Sequence, residues 1–392
     1  MSDGGQPRPG LLLWDPRYLA YDFGPEHPFQ MNSRRLATDL LETIVGEAGW
    51  LRRDAEIPPA PRAELETFHR PEYIDRVEAI SALGKQIPLD HGDTPSFPGC
   101  FEEAARVVEG SVRAVDFALR ERGAAYHPAG GLHHAHPDAA SGFCIFNDVA
   151  VGVARALADG RRVAYLDLDA HHGDGVMYGF YGSGRLLDID VHQDGRTLFP
   201  GTGSVAETGA GDGAGLKVNV PVPPGAGDEV LTSLLPRLVP TLLRAFRPDL
   251  LVVQHGADGH AGDPLSGLRY TSVGFDAADR LLVALADELT DGRLVVTGGG
   301  GYRAAAVARV FARAGARTLG AAPPPLSAPL PEEWRAGFAR SLGTPSPSGW
   351  GDPIPPSGRP PWRDGEIDRL VAELEERLGL HFPPADTEPA PP

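Results

Sequence analysis

A mostly parallel α/β sheet flanked by helices is the fold class this sequence predicts, and three observations predict it. Apolar, β-prone runs alternate with stretches of helical apolar spacing. One run, Leu250-Leu251-Val252-Val253, is apolar without alternation, as in a strand covered on both faces of a parallel sheet. Polar concentrations at residues 167–174, 258–263 and 298–302 each follow such a run. Ligands in open sheets of this class sit beyond the carboxyl ends of the strands, so these clusters are expected to converge on one edge and form one site.

In chain order, residues 11–14 read as a first short strand and 22–28 as a polar loop holding His27. From Arg34 onward, Leu36, Leu40, Leu41, Ile44 and Val45 fall at helical spacing, with Gly49 as the stop. Residues 51–100 are broken by proline, and Asp90-His91-Gly92-Asp93-Thr94-Pro95 reads as a loop. Residues 102–122 predict a long helix with Val107, Val108, Val112, Val115 and Leu119 inward. Gly130-Gly131-Leu132-His133-His134-Ala135-His136 leads through Ser141-Gly142-Phe143-Cys144 into a helix at about 147–158. Strands follow at 162–166, at 186–191 ending on His192, and at 216–222, with a rigid Phe199-Pro200-Gly201-Thr202-Gly203 loop between the last two. A helix at 230–246, the strand at 250–253, a helix at 277–289 and a strand at 294–296 complete the alternation. A four-glycine loop at 298–301 then ends in Tyr302 and opens a helix at 304–314. Beyond residue 323 the chain turns rich in Pro, Gly and Ser around helical pieces at 332–341 and 366–378, and 383–392 is expected to be disordered. The expected division is a domain over 1–322 and an appendage over 323–392, packed on it in part.

Composition narrows the function classes. The 392 residues are enough for one large α/β domain or two domains, and 42% hydrophobic residues is ordinary for a globular chain. No apolar run approaches the roughly 20 residues of a membrane span, and no basic segment with a long apolar one behind it opens the chain. Two cysteines, Cys100 and Cys144, build no disulfide framework, which fits a reducing cytoplasm. The net charge of −17 argues against a general nucleic-acid binder and suits cationic substrates, though simple solubility explains it equally well.

The stretch that carries chemistry is Asp167-Leu168-Asp169-Ala170-His171-His172-Gly173-Asp174-Gly175. Side chains on a strand repeat every second residue, so Asp167, Asp169 and His171 share a face if the strand runs that far. Two carboxylates and an imidazole on one face suit a divalent metal. A run of five Asp and His residues has little packing value.

Taken with Gly130-Gly131-Leu132-His133-His134, Ser141-Gly142-Phe143-Cys144, Phe199-Pro200-Gly201-Thr202-Gly203, Gly256-Ala257-Asp258 with Ala261-Gly262-Asp263-Pro264, and Gly298 to Tyr302, this stretch resembles the zinc-dependent histone deacetylases. The similarity spans roughly residues 11–318. The segment Asp22-Phe23-Gly24-Pro25-Glu26-His27-Pro28, the Asp93-Thr94-Pro95-Ser96-Phe97 loop and the helical extension are similar to its bacterial acetoin-utilisation branch. The resemblance implies the arginase/deacetylase fold, with a parallel sheet of about eight strands. It implies Asp169, His171 and Asp263 as ligands of zinc, with ferrous iron as the alternative. It implies His133 and His134 as the active-site histidines, backed by Asp167 and Asp174. Tyr302 matches the hydrogen-bond donor to the substrate carbonyl. Gly142, Phe143 and Phe199 match the walls of an acyl-lysine tunnel, and Asp93 the rim aspartate that holds the substrate backbone. A potassium site on Asp167, Asp169 and His171 is also implied, but Asp190 stands where animal deacetylases carry a serine.

The chemistry fits these residues. A metal with open positions polarises an amide and acidifies a water. His134 is assigned as the acid/base, with His133 electrostatic and orienting. Tyr302 is the oxyanion donor. The expected reaction removes acyl groups from lysine side chains of proteins, with small acylated amines such as acetylpolyamines as the alternative substrate. A binuclear manganese ureohydrolase would need a second Asp-x-Asp pair, which residues 258–263 lack. A catalytically dead acyl-lysine binder is disfavoured by the intact His133, His134 and Tyr302. Elsewhere, His172 reads as structural and His192 as a core histidine or one behind the ligands. His91, His127, His136, His255 and His260 read as loop or rim residues, and Cys144 as a small buried side chain. Asp258 reads as standing behind the ligands in preference to joining them. Either Arg34 or Arg35 lines an inner channel, and the oligomeric state is left open.

Overall fold

A computed structural model describes residues 8–353 and 365–380. Its strands are β1 (Gly10–Leu13), β2 (Leu51–Asp54), β3 (Ala124–His127), β4 (Val163–Asp167), β5 (Leu186–Gln193), β6 (Lys217–Val222), β7 (Leu250–Gln254) and β8 (Leu294–Thr297). They form one eight-stranded sheet in the order β2-β1-β3-β8-β7-β4-β5-β6, and every pairing is parallel. The helices are α1 (Met31–Val45), α2 (Arg62–Leu65), α3 (Pro71–Ala82), α4 (Cys100–Glu121), α5 (Asp148–Ala158), α6 (Asp174–Gly179), α7 (Leu235–Phe246), α8 (Ser272–Leu289), α9 (Ala304–Thr318), α10 (Glu332–Leu342) and α11 (Glu366–Leu378).

Both faces of the sheet are covered, as the continuous apolar run at β7 requires. Alternation splits each central strand between two cores. Leu251 and Val253 of β7, with Ala164 and Leu166 of β4, pack among α1, α7, α8 and α9. Leu250, Val252, Val163 and Tyr165 pack among α3, α4 and α5. Among the described residues no helix is long and apolar enough to cross a membrane.

The structure departs from the periodicity in several places. β2 lies at a sheet edge with Arg52 and Arg53 exposed, and such charged edge strands carry no apolar alternation to detect. β3 is four residues long and flanked by the α4 terminus and two glycines, too short to register. The helix expected over 230–246 opens with a π turn over Val230–Leu234, and α7 starts at Leu235. Pro236 has no N–H to give that turn, so the helical ladder restarts around it. α8 begins five residues before the expected 277, because Thr271 caps it by accepting from Val273 N (3.1 Å).

Much of the C-terminal stretch packs on the sheet's helical layer. Trp334 and Phe338 of α10 are buried, and Trp334 Nε1 donates to Leu36 O of α1 (2.9 Å). Trp350 is 1% exposed, and α11 buries Val371 and Leu374. All five side chains share the apolar core of α1, α7, α8 and α9. The disorder expected over 383–392, and residues 354–361 of the Pro-rich stretch, lie outside the described residues.

Trp334→Ala is expected to destabilise the chain by about 3–5 kcal/mol, the range for emptying a buried aromatic site. A urea melt checks it. A loss below about 1 kcal/mol would show that α10 lies outside the cooperative core.

Candidate active site

All the polar clusters meet at the carboxyl edge of the sheet. β4 ends at Asp167, so Asp169 and His171 lie beyond the strand, contrary to the extended reading. Two turns align them instead. Asp167 Oδ1 accepts from Asp169 N (3.0 Å), and Asp169 Oδ1 accepts from His171 N (3.0 Å).

Asp169, His171 and Asp258 place ligand atoms within 4.8 Å of one another, all buried. His171 Nδ1 sits 2.9 Å from Asp258 Oδ2 and 3.1 Å from Asp169 Oδ1. Asp263 stands beside this group, with Oδ2 accepting from Tyr302 N (2.8 Å) and Oδ1 from Leu265 N (3.0 Å). Burial, followed by the charge of Asp169, pushes the Asp258 carboxyl up. Burial, with the charge of Asp169, also raises Asp263 against the pull of His171 and two backbone N–H groups. Burial opposes the charge on His171, but Asp169 and Asp258 outweigh it and push the ring up to about 10. An excess of buried carboxylate around one imidazole is the donor set a divalent cation fits. Space is shaped to match: a Cβ on Gly300 would stand 2.1 Å from Asp258 Oδ2 and 2.8 Å from Asp169 Oδ2.

Two histidine–aspartate pairs abut this group. His133 donates from Nδ1 to Asp167 Oδ2 (2.7 Å), and His134 from Nδ1 to Asp174 Oδ1 (2.7 Å). Their Nε2 atoms converge at 3.0 Å. Burial by itself lowers both rings. At His133 the charges of Asp167 and Asp169 outweigh burial and push it up to about 10. At His134 burial, followed by the charge on His133, brings it down to about 4. Asp174 sits at the first turn of α6, which aims it at His134.

A cavity of about 420 Å³ opens onto His134 and His171 and is walled by Phe143, Phe199, Gly142 and Tyr302. Gly142 takes φ 52°, and a Cβ there would meet the His134 ring at 2.4 Å. Phe143 takes φ 69°, a strained left-handed backbone for an aromatic residue. The Tyr302 ring lies edge-on to Phe143 at 5.7 Å and to His171 at 6.5 Å. Phe199 is 43% exposed, so it forms the mouth. Asp93 is exposed at the rim and its backbone O accepts from His27 Nε2 (3.2 Å). Asp90, not Asp93, caps that loop, accepting from Gly92 N (2.8 Å) and Thr94 N (2.9 Å). The Asp93 carboxylate makes no hydrogen bond to a described residue.

Contacts with distant segments place the remaining residues, some as the sequence reading has them and some not. Arg34 is buried and donates to Gly299 O (2.6 Å) and Gly301 O (3.1 Å), whereas Arg35 pairs with Asp39 on the surface. His172 turns to Thr202 Oγ1 (2.8 Å). Asp190 accepts from His192 Nδ1 (2.6 Å) and Gly173 N (2.7 Å), so both its oxygens are engaged. His127, His255 and His260 are fully buried and not at a rim. Polar side chains pin them: Ser111, Asp279 and Asp352 respectively.

Sequence reasoning missed the residues that brace the site. Gln254 Nε2 donates to Asp169 Oδ2 (2.7 Å) and to Gly131 O (3.2 Å). Asp148 accepts from Gly131 N (3.1 Å) and Leu132 N (2.7 Å), and Asn147 Nδ2 donates to His133 O (2.8 Å). Thr94 Oγ1 accepts from Phe143 N (2.9 Å). A signal existed for Gln254, which ends a fully buried strand at the functional edge. The others act only through distant backbone.

A histone deacetylase domain matches residues 27–317 of the chain. The acetoin utilization protein AcuC of Bacillus subtilis (strain 168) is 35% identical over 371 residues, covering 90% of this chain and 93% of that protein. AcuC of Staphylococcus xylosus is 33% identical over 347 residues, covering 85% and 88%. AcuC of Staphylococcus aureus (strain MSSA476) is 31% identical over 383 residues, covering 94% and 95%.

The geometry separates two ligand sets by experiment. His171→Ala is expected to strip bound metal, since it is common to both. Asp263→Ala is expected to do the same if the third ligand is Asp263, and Asp258→Ala if it is Asp258, because two remaining ligands hold a metal poorly. Metal content per chain after gel filtration reads the answer. Full occupancy in the His171→Ala protein would sink both sets.

Proposed function

Because this chain belongs to the histone deacetylase family, and within it to the AcuC type, we propose that it removes acetyl groups from lysine side chains of proteins, using zinc. Its all-parallel sheet is the arginase/deacetylase fold, and its coarse activity is that of a hydrolase acting on acetyl amides. The observation that carries the finer reading is the meeting of two histidine–aspartate pairs with a buried carboxylate–imidazole group at the floor of one narrow cavity.

Asp169, His171 and an aspartate of the 258–263 turn would hold a divalent cation, which would supply Lewis-acid polarisation of the amide carbonyl and of water. Phe143 and Phe199 flank the acyl-lysine chain and keep bulk water out. His134, the less basic ring and the one on the cavity, accepts the proton of the attacking water and returns it to the leaving amine nitrogen. His133, held charged by Asp167, stabilises the negative charge that develops beside it. Asp167 and Asp174 fix each ring by accepting from its Nδ1. Tyr302 donates its hydroxyl to the substrate oxygen. The reading keeps a potassium ion near Asp167, Asp169 and His171, with Asp190 supplying charge and no free oxygen. It places the reaction in a reducing cytoplasm, supported by two buried, unpaired cysteines.

Tyr302→Phe is expected to lower kcat by roughly 100- to 1000-fold at unchanged metal content, the usual loss for one oxyanion donor. Near-normal turnover would assign the oxyanion to another group.

The substrate class is tested at Asp93. Its free rim carboxylate suits backbone N–H groups flanking an acetyl-lysine, and a charge-assisted bond of this kind contributes about 1.5–3 kcal/mol. Asp93→Asn is therefore expected to lower kcat/KM for acetylated peptides by about tenfold and to leave a small neutral acetylated amine unaffected. Kinetics on both substrates decide it; equal losses would mean that Asp93 acts on its own loop and would remove this argument for a protein substrate.

A further inference from the structure

The C-terminal stretch reaches the turn between Asp258 and Asp263 through one side chain. Asp352 has a side chain only 3% exposed. Its Oδ1 accepts from His260 Nε2 (2.8 Å) and from Arg309 Nη2 (2.8 Å), and its Oδ2 from Ser272 N at the start of α8 (2.6 Å). The approach to it is tied down. Trp350 N donates to Ala328 O (3.1 Å), Gly351 N to Leu326 O (2.8 Å), and Arg309 Nη1 to Gly351 O (2.5 Å). Burial opposes the charge on Asp352, but His260 and Arg309 outweigh it and hold the carboxyl below its ordinary range.

His260 occupies the middle of the turn between Asp258 and Asp263. Its N–H donates to Ala257 O (3.1 Å) and its carbonyl accepts from Asp263 N (2.9 Å). The same turn is stitched to Tyr270 by Ala261 N to Tyr270 O (2.8 Å) and Tyr270 N to Gly259 O (2.9 Å). Its ring is buried, and Nδ1 has no partner among the described residues, so the bond to Asp352 is the ring's sole polar anchor there.

We propose that Asp352 is a positioning residue for the catalytic centre: through His260 it fixes the turn that carries Asp258 and Asp263. The inference rests on the metal-dependent reading above. A buried imidazole without its carboxylate must find another partner or move, and it can move only with the turn. Partners that orient ligand-bearing segments from outside commonly set metal affinity by 10- to 100-fold. The C-terminal stretch is thus part of the site's scaffolding and not only a cover on α1 and α9.

The test uses the full-length zinc-loaded chain and reads the zinc dissociation constant by chelator competition, kcat and KM separately, and the urea midpoint. Asp352→Asn leaves one acceptor oxygen, which can still serve Ser272 N, and turns a donor amide without charge toward His260 Nε2 and Arg309 Nη2. It is expected to weaken zinc by about tenfold or more and to lower kcat with KM little changed. His260→Gln cuts the same link from the other end and is expected to behave alike, with no further loss in the double variant. Trp334→Ala, remote from the turn, is the control: it lowers the urea midpoint and leaves zinc affinity unchanged. If Asp352→Asn does not fold, His260→Gln decides by the same criterion. Zinc affinity and kcat within twofold of wild type, whatever the midpoint, would overturn the proposal and leave Asp352 a structural clamp. A wild-type chain that neither binds zinc nor hydrolyses acetyl amides would overturn the functional reading, and this inference with it.

Discussion

Asp169 and Asp258 are both buried against one imidazole, His171, with Asp263 close enough for its carboxylate to sense them. Carboxylates so crowded repel, and burial leaves no water to screen them. The chain compensates with N–H donors aimed at the group: Ala170 N to Asp258 (2.8 Å), Gly300 N and Gln254 Nε2 to Asp169 (2.7 Å each). Those donors come from the ends of β4, β7 and β8, adjacent strands in the sheet. The parallel sheet is thus what makes the cluster tolerable, because it delivers backbone and side-chain N–H groups from neighbouring strand ends to one point.

The same constraint organises the periphery. Gly300 and Gly142 sit where a side chain would strike a carboxylate or the His134 ring. His133 and His134 are each paired with their own aspartate, and the two end at opposite protonation tendencies because one is surrounded by carboxylates and the other faces a charged ring. That divergence is what the proposed division of roles between them rests on. Further out, His192 and His255 repeat the motif with Asp190 and Asp279. Buried imidazole–carboxylate pairs thus recur near the carboxyl ends of β5 and β7.

The similarity to AcuC proteins extends over 90% of the chain and so beyond the 27–317 domain match. The structure supplies a physical reason for treating the later segment as integral. Trp334, Phe338 and Trp350 complete the apolar core over α1 and α9, and Asp352 continues from that core to the 258–263 turn.

The sequence by itself determined the fold class and most of the site. Strand and helix periods announce a parallel sheet, and Asp167 through Asp174, His133, His134, Phe143 and Tyr302 lie in local motifs whose composition has no packing purpose. The tertiary structure decided what depends on contacts between distant segments. Local pattern could not choose between Arg34 and Arg35, since both stand at the start of the same helix; only the buried carbonyls of Gly299 and Gly301 distinguish them. It put Asp169 and His171 on the face of Asp167 only if the strand ran that far; the strand ends at Asp167, and the carboxylates of Asp167 and Asp169 align them in turns by accepting from backbone N–H groups. It read His260 as a loop or rim residue and could not show its burial, because Asp352, the carboxylate its ring meets, lies 92 positions away. Periodicity reports which way a side chain points along its own element; it carries no information about which charge meets it from another.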